Sequence, residues 1–548
     1  MTDHPKLKDK IKDFDLSKLR RLNFGKLEGE KDPILQDCFF TTYSIDKFIN
    51  DPANYVLSPK GAGKSALFVT LKKRHLNKTV FDYSKYSIIS INEAFGFDDE
   101  YLDIKKFNEK SRMKLTISWG LFILSKLIDD IKTNFKDSQY YDTFISKISQ
   151  IDGFKEKFNL YGLNDLLESL SASINFTANG QEFEVRPTVK YNKRKQKLIL
   201  NDLFKLIDEF YKNNNKTALV LIDRIDNFVQ KEKYSLQKKY IQGLFDSIEE
   251  ISHLENIHPT LFLRSDLFYS YDSDIELDKI NDRTVELKWS KGETLNFILY
   301  RFNNNEYISN SFTPFLHHLM LNDKPKNDKP KKLSFIKRKI KHFFGNLNND
   351  TELKDKKAYN YRISEKYLTM FFPKEIELNN GDSMKFVDWL FEYLKDANGF
   401  LNPRLLIDFF NQLIEFENLY LEQYCDEIDD SLDFVKPSFD ENNNLFYKNL
   451  FHQESFASTY SKIQNDSLKN ILTLVKTKDY QILFKEINAV SYHKNFFRYG
   501  DINLNKYDMS KDTYTSLLKY LRLLGYCKET DKQKYMIPKL YQKRIELI

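Results

Sequence analysis

Ser58-Pro59-Lys60-Gly61-Ala62-Gly63-Lys64-Ser65-Ala66 joins a short apolar run, Asn54-Tyr55-Val56-Leu57, to a helical pattern carrying Leu67, Phe68, Val69 and Leu71. A strand, a glycine-bearing loop ending in Gly-Lys-Ser, and a helix make a phosphate-binding loop of the G-x-x-x-x-G-K-[ST] kind. The chemistry uses each part. Backbone N–H groups curl around a β-phosphate, which also sits at the positive end of the helix dipole. Lys64 supplies a point charge to the β- and γ-phosphates, and the Ser65 hydroxyl is placed to hold Mg²⁺. Residues Ser58 to Ala66 are thus the candidate ATP contacts. The consensus wants a glycine where Ser58 stands, a departure that the flanking strand and helix offset.

Downstream, Tyr86-Ser87-Ile88-Ile89-Ser90-Ile91-Asn92 alternates like a second strand. A mostly helical excursion follows over 97–200, including Trp119-Gly120-Leu121-Phe122-Ile123-Leu124. Near its end Ala172–Thr177 and Glu182–Val185 flank Asn179-Gly180, a hairpin signal. The basic run Lys190 to Lys197 reads either as a solvated surface or as a nucleic-acid or phosphate contact. Leu203, Leu206, Ile207 and Phe210 then stripe one helix face.

Ala218-Leu219-Val220-Leu221-Ile222-Asp223 has the form of a Walker B strand, an apolar run delivering one carboxylate to the metal at its C-terminal end. Asp226, one loop turn further, is the candidate for orienting the attacking water; Arg224 stands where many ATPases carry a second acid. A helix with Leu236, Tyr240, Leu244, Phe245 and Ile248 leads to another buried strand, Thr260–Arg264. Arg264 at that strand's end is a candidate γ-phosphate sensor, or else a partner for Asp266. Arg283 precedes a fifth strand, Val285–Trp289, and is a candidate arginine finger for a neighbouring subunit, or else an ion-pair partner of Asp282.

Upstream, residues 1–30 form a lysine-rich arm, and Asp32-Pro33-Ile34-Leu35 opens a short helix running into Phe39-Phe40-Thr41-Thr42-Tyr43. The Phe39 and Phe40 rings suit either adenine packing or plain core packing. The Lys- and Asn-rich segment 322–358 reads as an insertion or linker containing a basic amphipathic helix, which docks either on its own protein or on a membrane or phosphates. Asn402-Pro403-Arg404 starts a helix with Asn at N-cap and Pro at N1, and Arg404 in the first turn is a candidate to reach back to ATP. From about residue 465 the pattern is a set of helices and a hairpin, Tyr526–Glu529 with Lys534–Pro538, the outline of a winged helix that docks on DNA or on protein.

With 548 residues, 41% of them hydrophobic and 15% aromatic, the chain can bury more than one core. A net charge of +6 is small beside 85 basic and 79 acidic residues and implies no partner. Phe (46) and Tyr (33) outnumber Gly (16), the composition of an A/T-biased gene, so single lysine runs carry little weight. Cys38, Cys425 and Cys527 lack metal or disulfide spacing, which suits a reducing cytosol. No signal peptide or apolar span long enough for a bilayer is expected, so the chain reads as a soluble, cytoplasmic protein.

Taken in order, these motifs resemble bacterial KAP/STAND-like P-loop ATPases of the AAA+ kind, often encoded beside antiviral defence genes. The resemblance rests on Asp32–Leu35, Lys60–Leu67, Ile222–Asp226, Phe262–Asp266, Asp282–Trp289, Asn402–Arg404 and Tyr535–Pro538. It implies an α/β P-loop parallel sheet with a large helical insertion, a helical lid and a C-terminal winged helix. The domains expected are a basic arm 1–30, an ATPase domain 31–300 containing the insertion 97–200, a lid 301–420, a connector 421–464 and a winged-helix-like domain 465–548. The implied activity is ATP hydrolysis with Mg²⁺ in a regulatory switch or assembly platform, self-associating and controlling a partner effector. Two alternatives stand beside it: a DNA-binding AAA+ ATPase similar to replication initiators or transposition regulators, and a nucleotide-gated scaffold with little turnover.

Overall fold

A computed structural model describes residues 22–78, 80–92, 112–149, 176–178, 181–183, 193–225, 234–271, 282–305, 364–365, 368–369, 371–373, 375–378, 381–424, 438–439, 445–446, 451, 453–475, 477–531 and 533–545. The expected segment 322–358, the arm up to residue 21, Lys190–Asn192, Cys425 and Asp226 lie outside these residues.

The sheet strands are β1 (Tyr55–Ser58), β2 (Tyr86–Ile91), β3 (Thr217–Ile222), β4 (Ile257–Arg264) and β5 (Thr284–Glu286). The longer helices include α1 (Lys64–Lys72), α2 (Arg112–Asn134), α3 (Lys193–Asn213), α4 (Tyr234–Ile251), α5 (Lys291–Asn303), α6 (Phe386–Tyr393), α7 (Pro403–Tyr424), α8 (Gln453–Leu474), α9 (Lys478–Ser491) and α10 (Lys511–Leu523). The chain divides into two compact units. One holds residues 43–58 and 67–287; the other holds 1–42, 59–66 and 288–548.

The first unit carries the sheet, in the order β2-β3-β4-β1-β5, with every pairing parallel. Parallel strands need crossovers, which explains why helices alternate with them along the sequence. Central strands β1, β3 and β4 are buried almost throughout, whereas edge strands β2 and β5 alternate buried and half-buried residues. One strand, β4, separates β1 from β3, so Ser58, at the end of β1, and Asp223, just after β3, lie at the same edge of the sheet. Ligands of open α/β sheets gather at that edge.

The helix α2, expected as part of an excursion, belongs to the sheet-covering core with Trp119, Phe122, Ile123 and Leu127 all buried. It lies against α4, where the Trp119 indole donates to the Tyr240 carbonyl at 3.1 Å. Arg112 pairs bidentately with Asp246 at 2.6 and 2.7 Å. The hairpin signal corresponds to strands Phe176–Ala178 and Gln181–Phe183, which pair antiparallel.

In the second unit one hydrophobic cluster joins Leu22 and Phe24, the helices α5, α6 and α7, and the C-terminal elements up to Tyr541. The N-terminal segment is held by a buried ion pair: Arg301 Nη2 donates to Asp32 Oδ2 at 2.7 Å, with the side chains 3% and 1% exposed. Arg301 also donates to the Phe24 carbonyl at 2.6 Å, and Asn411 of α7 bonds Gly25 and Phe24. Ser290 and Glu293 close a capping box at the start of α5, a signal legible as S-x-x-E. The C-terminal part runs α8, α9, β6 (Phe496–Arg498), α10, β7 (Lys528–Asp531) and β8 (Lys534–Met536), with antiparallel sheet order β6-β8-β7. Cys527 is buried there, and burial pushes its thiol up to about 12, so it is a packing residue rather than a nucleophile. No described helix is long and apolar enough to cross a membrane.

The loop between α6 and α7 is pinned on the turn after α10. Ala397 N–H donates to the Gly525 carbonyl at 2.8 Å, and the Asp396 carboxylate accepts from Asn398 N–H and Phe400 N–H at 2.9 and 2.8 Å. Burial outweighs those bonds and raises the Asp396 carboxyl from 3.8 to about 6. The folded chain therefore keeps a proton that the unfolded chain releases, and this group's contribution to stability falls as pH rises from about 4 to 6. Asp396→Asn retains an oxygen for both N–H groups and carries no charge. We expect it to stabilise the protein by about 1–3 kcal/mol at pH 8. Denaturant unfolding across pH checks this; the gain should shrink through the acidic window and vanish below about pH 4.

Candidate functional site

The phosphate-binding loop leaves β1 at Ser58 and enters α1 at Lys64. Ser58 is buried in extended strand, paired in register with Arg264. No left-handed backbone is needed there, so the missing consensus glycine costs the turn nothing. The turn itself is made by Gly61 and Gly63, at φ of 89° and 107°. A Cβ at Gly61 would fall 2.2 Å from the Asn402 amide oxygen, whereas one at Gly63 would meet nothing within 4 Å. Both glycines satisfy a left-handed backbone that L side chains resist.

The loop's carbonyls are engaged by groups from the same unit. Asn402 Nδ2 donates to the Lys60 carbonyl at 2.7 Å, Trp289 Nε1 to the Ala62 carbonyl at 2.9 Å, and Arg404 N–H to the Gly61 carbonyl at 3.4 Å. Lys64 Nζ donates to the Pro59 carbonyl at 3.4 Å, and Ala62 N–H to the same oxygen at 3.4 Å. Asn402 is the N-cap of α7, as its sequence predicts, since its Oδ1 accepts from Arg404 N–H at 2.9 Å. Arg404 is thereby placed in the first turn of that helix, half-buried, with its backbone on the loop.

The sequence places Trp289 in the fifth strand, yet the strand ends at Glu286 and the Trp289 indole bonds the loop instead. Phe40 and Phe297 pack on its ring at 6.1 and 5.4 Å between centroids. Both Phe39 and Phe40 are buried. Gly29, in the N-terminal segment, comes so close to Ala66 that an added Cβ would lie 3.2 Å from its Cα.

The other candidates belong to the sheet-bearing unit. Asp223 follows β3, is 3% exposed, and donates its backbone N–H to the Ile91 carbonyl at 2.9 Å. Arg224 turns the chain immediately afterwards at φ 63°, a conformation that costs a non-glycine residue about 1–2 kcal/mol. Strain of this kind gathers at functional sites. Arg264 forms a bidentate pair with Asp266 at 3.0 and 2.6 Å, the side chains being 13% and 4% exposed. Arg283 bonds Glu249 at 3.1 Å and the Ser252 hydroxyl at 2.6 Å, rather than the adjacent Asp282. Glu249 also accepts from Tyr55 at 3.1 Å, and burial raises the Tyr55 phenol well above its ordinary range. Glu249 lies far from Arg283 in sequence, and nothing in a single chain's pattern links the two.

No protein-family model and no curated protein matches the chain. Among solved structures, the ORC2 protein of Aeropyrum pernix, determined as ADPNP–ADP complexes, is similar at 11% identity and a TM-score of 0.36, over 89% of this chain and 84% of that one. A Walker-type ATPase of Pyrococcus abyssi is similar at 12% identity and a TM-score of 0.32, over 91% of this chain and 92% of that one. Likeness this distant says nothing of chemistry.

Arg264→Ala should destabilise the fold by about 3–5 kcal/mol, because it strands the buried Asp266 carboxylate. Denaturant unfolding of the single and Arg264→Ala/Asp266→Ala variants measures it. A loss under about 1 kcal/mol would mean that the pair does not anchor Arg264.

Proposed function

We propose that the chain is an ATP-binding regulatory P-loop ATPase of the AAA+ kind, a nucleotide-driven switch or assembly platform acting with a partner effector in bacterial antiphage defence. The observation carrying the ATP reading is the loop Pro59–Ser65: two left-handed glycines, outward-held carbonyls and a helix opening at Lys64. Such a loop suits a polyphosphate. Open space beside Gly63 fits the same ligand.

On this reading Lys64 binds the β- and γ-phosphates, while the Ser65 hydroxyl and Asp223 carboxylate supply oxygen ligands of the kind Mg²⁺ takes. When bound, Mg²⁺ neutralises charge on the transferring phosphoryl group. Asp226 would orient water, Arg404 would reach back to ATP from the first turn of α7, and Arg264 would sense the γ-phosphate. Arg264 must share its guanidinium with Asp266 to do so. Arg283 would serve a neighbouring copy as an arginine finger, an effect worth about 10³–10⁵ in rate in GTPases. Release from Glu249 is then a precondition for self-association to matter.

The second reading is a duplex-binding AAA+ ATPase. It draws on the C-terminal order helix, helix, strand, helix, hairpin, which suits a winged helix. A salt-dependent duplex affinity would favour it.

Titration calorimetry with ATP and Mg²⁺ tests the main reading. Lys64→Ala should bind ATP at least about tenfold more weakly, a loss of about 1.4 kcal/mol or more, while unfolding at the wild-type midpoint. Wild-type affinity in a folded Lys64→Ala protein would remove the phosphate loop from the account.

A further inference from the structure

Asn402 uses both ends of its amide. Oδ1 accepts the Arg404 N–H at 2.9 Å and caps α7; Nδ2 donates to the Lys60 carbonyl at 2.7 Å. Capping alone is served as well by Asp or Ser. The second bond is not. An ionised Asp has no proton to give, and a Ser hydroxyl ends one atom nearer its own backbone.

In a planar trans peptide the carbonyl and the following N–H point in opposite directions. Holding the Lys60 oxygen toward Asn402 therefore aims the Gly61 N–H to the opposite side of the loop. Trp289, through the Ala62 oxygen, does the same for the Gly63 N–H. Gly61 completes the fit: its backbone is left-handed, and a Cβ there would collide with the Asn402 amide.

We propose that Asn402 is a positioning residue for nucleotide binding, setting the orientation of the Lys60–Gly61 peptide so that its N–H faces the phosphates. The phosphate part of this inference rests on the ATP reading above; the loop-ordering part stands without it. Asn402 touches no phosphate itself and acts through the peptide it holds.

Asn402→Asp and Asn402→Ser both keep a cap and remove the donor, so both should unfold at the wild-type midpoint. Hydrogen exchange without nucleotide should quicken about tenfold at Ala62, whose N–H is bonded to the Pro59 carbonyl within the loop, with α7 unchanged. Calorimetry should show ATP affinity falling about tenfold in both variants. A purely structural cap would leave exchange and affinity at wild-type values in both, and that result overturns the proposal. An affinity loss confined to Asn402→Asp, with exchange unchanged, also overturns it and assigns the effect to charge. Faster loop exchange in both variants, in a wild type that binds no ATP, would uphold the positioning role and reject the nucleotide reading.

Discussion

A trans peptide cannot send its carbonyl and its N–H to the same side. The phosphate-binding loop depends on that constraint more than on any single contact. Its carbonyls at Lys60 and Ala62 are fixed by an amide and an indole, and the N–H groups of Gly61 and Gly63 are oriented as a consequence. Glycine at both positions lets the backbone follow. The loop is therefore shaped by residues far along the chain, at 289 and 402, as much as by its own motif.

Those distant residues are themselves held firmly. Trp289 packs against both Phe40 and Phe297, just before the capping box that starts α5. Asn402 ends a loop that is bonded to the end of α10 and the turn after it, by Asn398 on Arg522 and Ala397 on Gly525. The N-terminal segment is locked to α5 by the buried Asp32–Arg301 pair and to α7 by Asn411. Removing one partner of such a pair costs about 3–5 kcal/mol, so this part of the unit resists local opening.

The strands were legible because β1, β3 and β4 are short apolar runs ending in turn or polar residues, the pattern of a sheet covered on both faces. The start of α7 was legible from Asn402-Pro403, and the hairpin from Asn179-Gly180. Side-chain partners were legible only when local. Arg264–Asp266 lies two residues apart, within the span of a local pattern; Arg283–Glu249 spans 34, and no local pattern links the two. The helix Tyr43–Asn50, burying Ile45, Phe48 and Ile49, gives little sequence signal because its stripe is short and abuts the Phe39-Phe40 cluster. The role of Trp289 was hidden by an apparent strand period that runs past the last paired residue.

The most direct measurement is a crystal structure with a non-hydrolysable ATP analogue and Mg²⁺. The account predicts the β-phosphate within hydrogen-bond distance of the Gly61 and Gly63 N–H groups, with the Asn402–Lys60 and Trp289–Ala62 bonds retained. An analogue bound away from Gly61–Ser65, or bound there with both of those bonds broken, would contradict it.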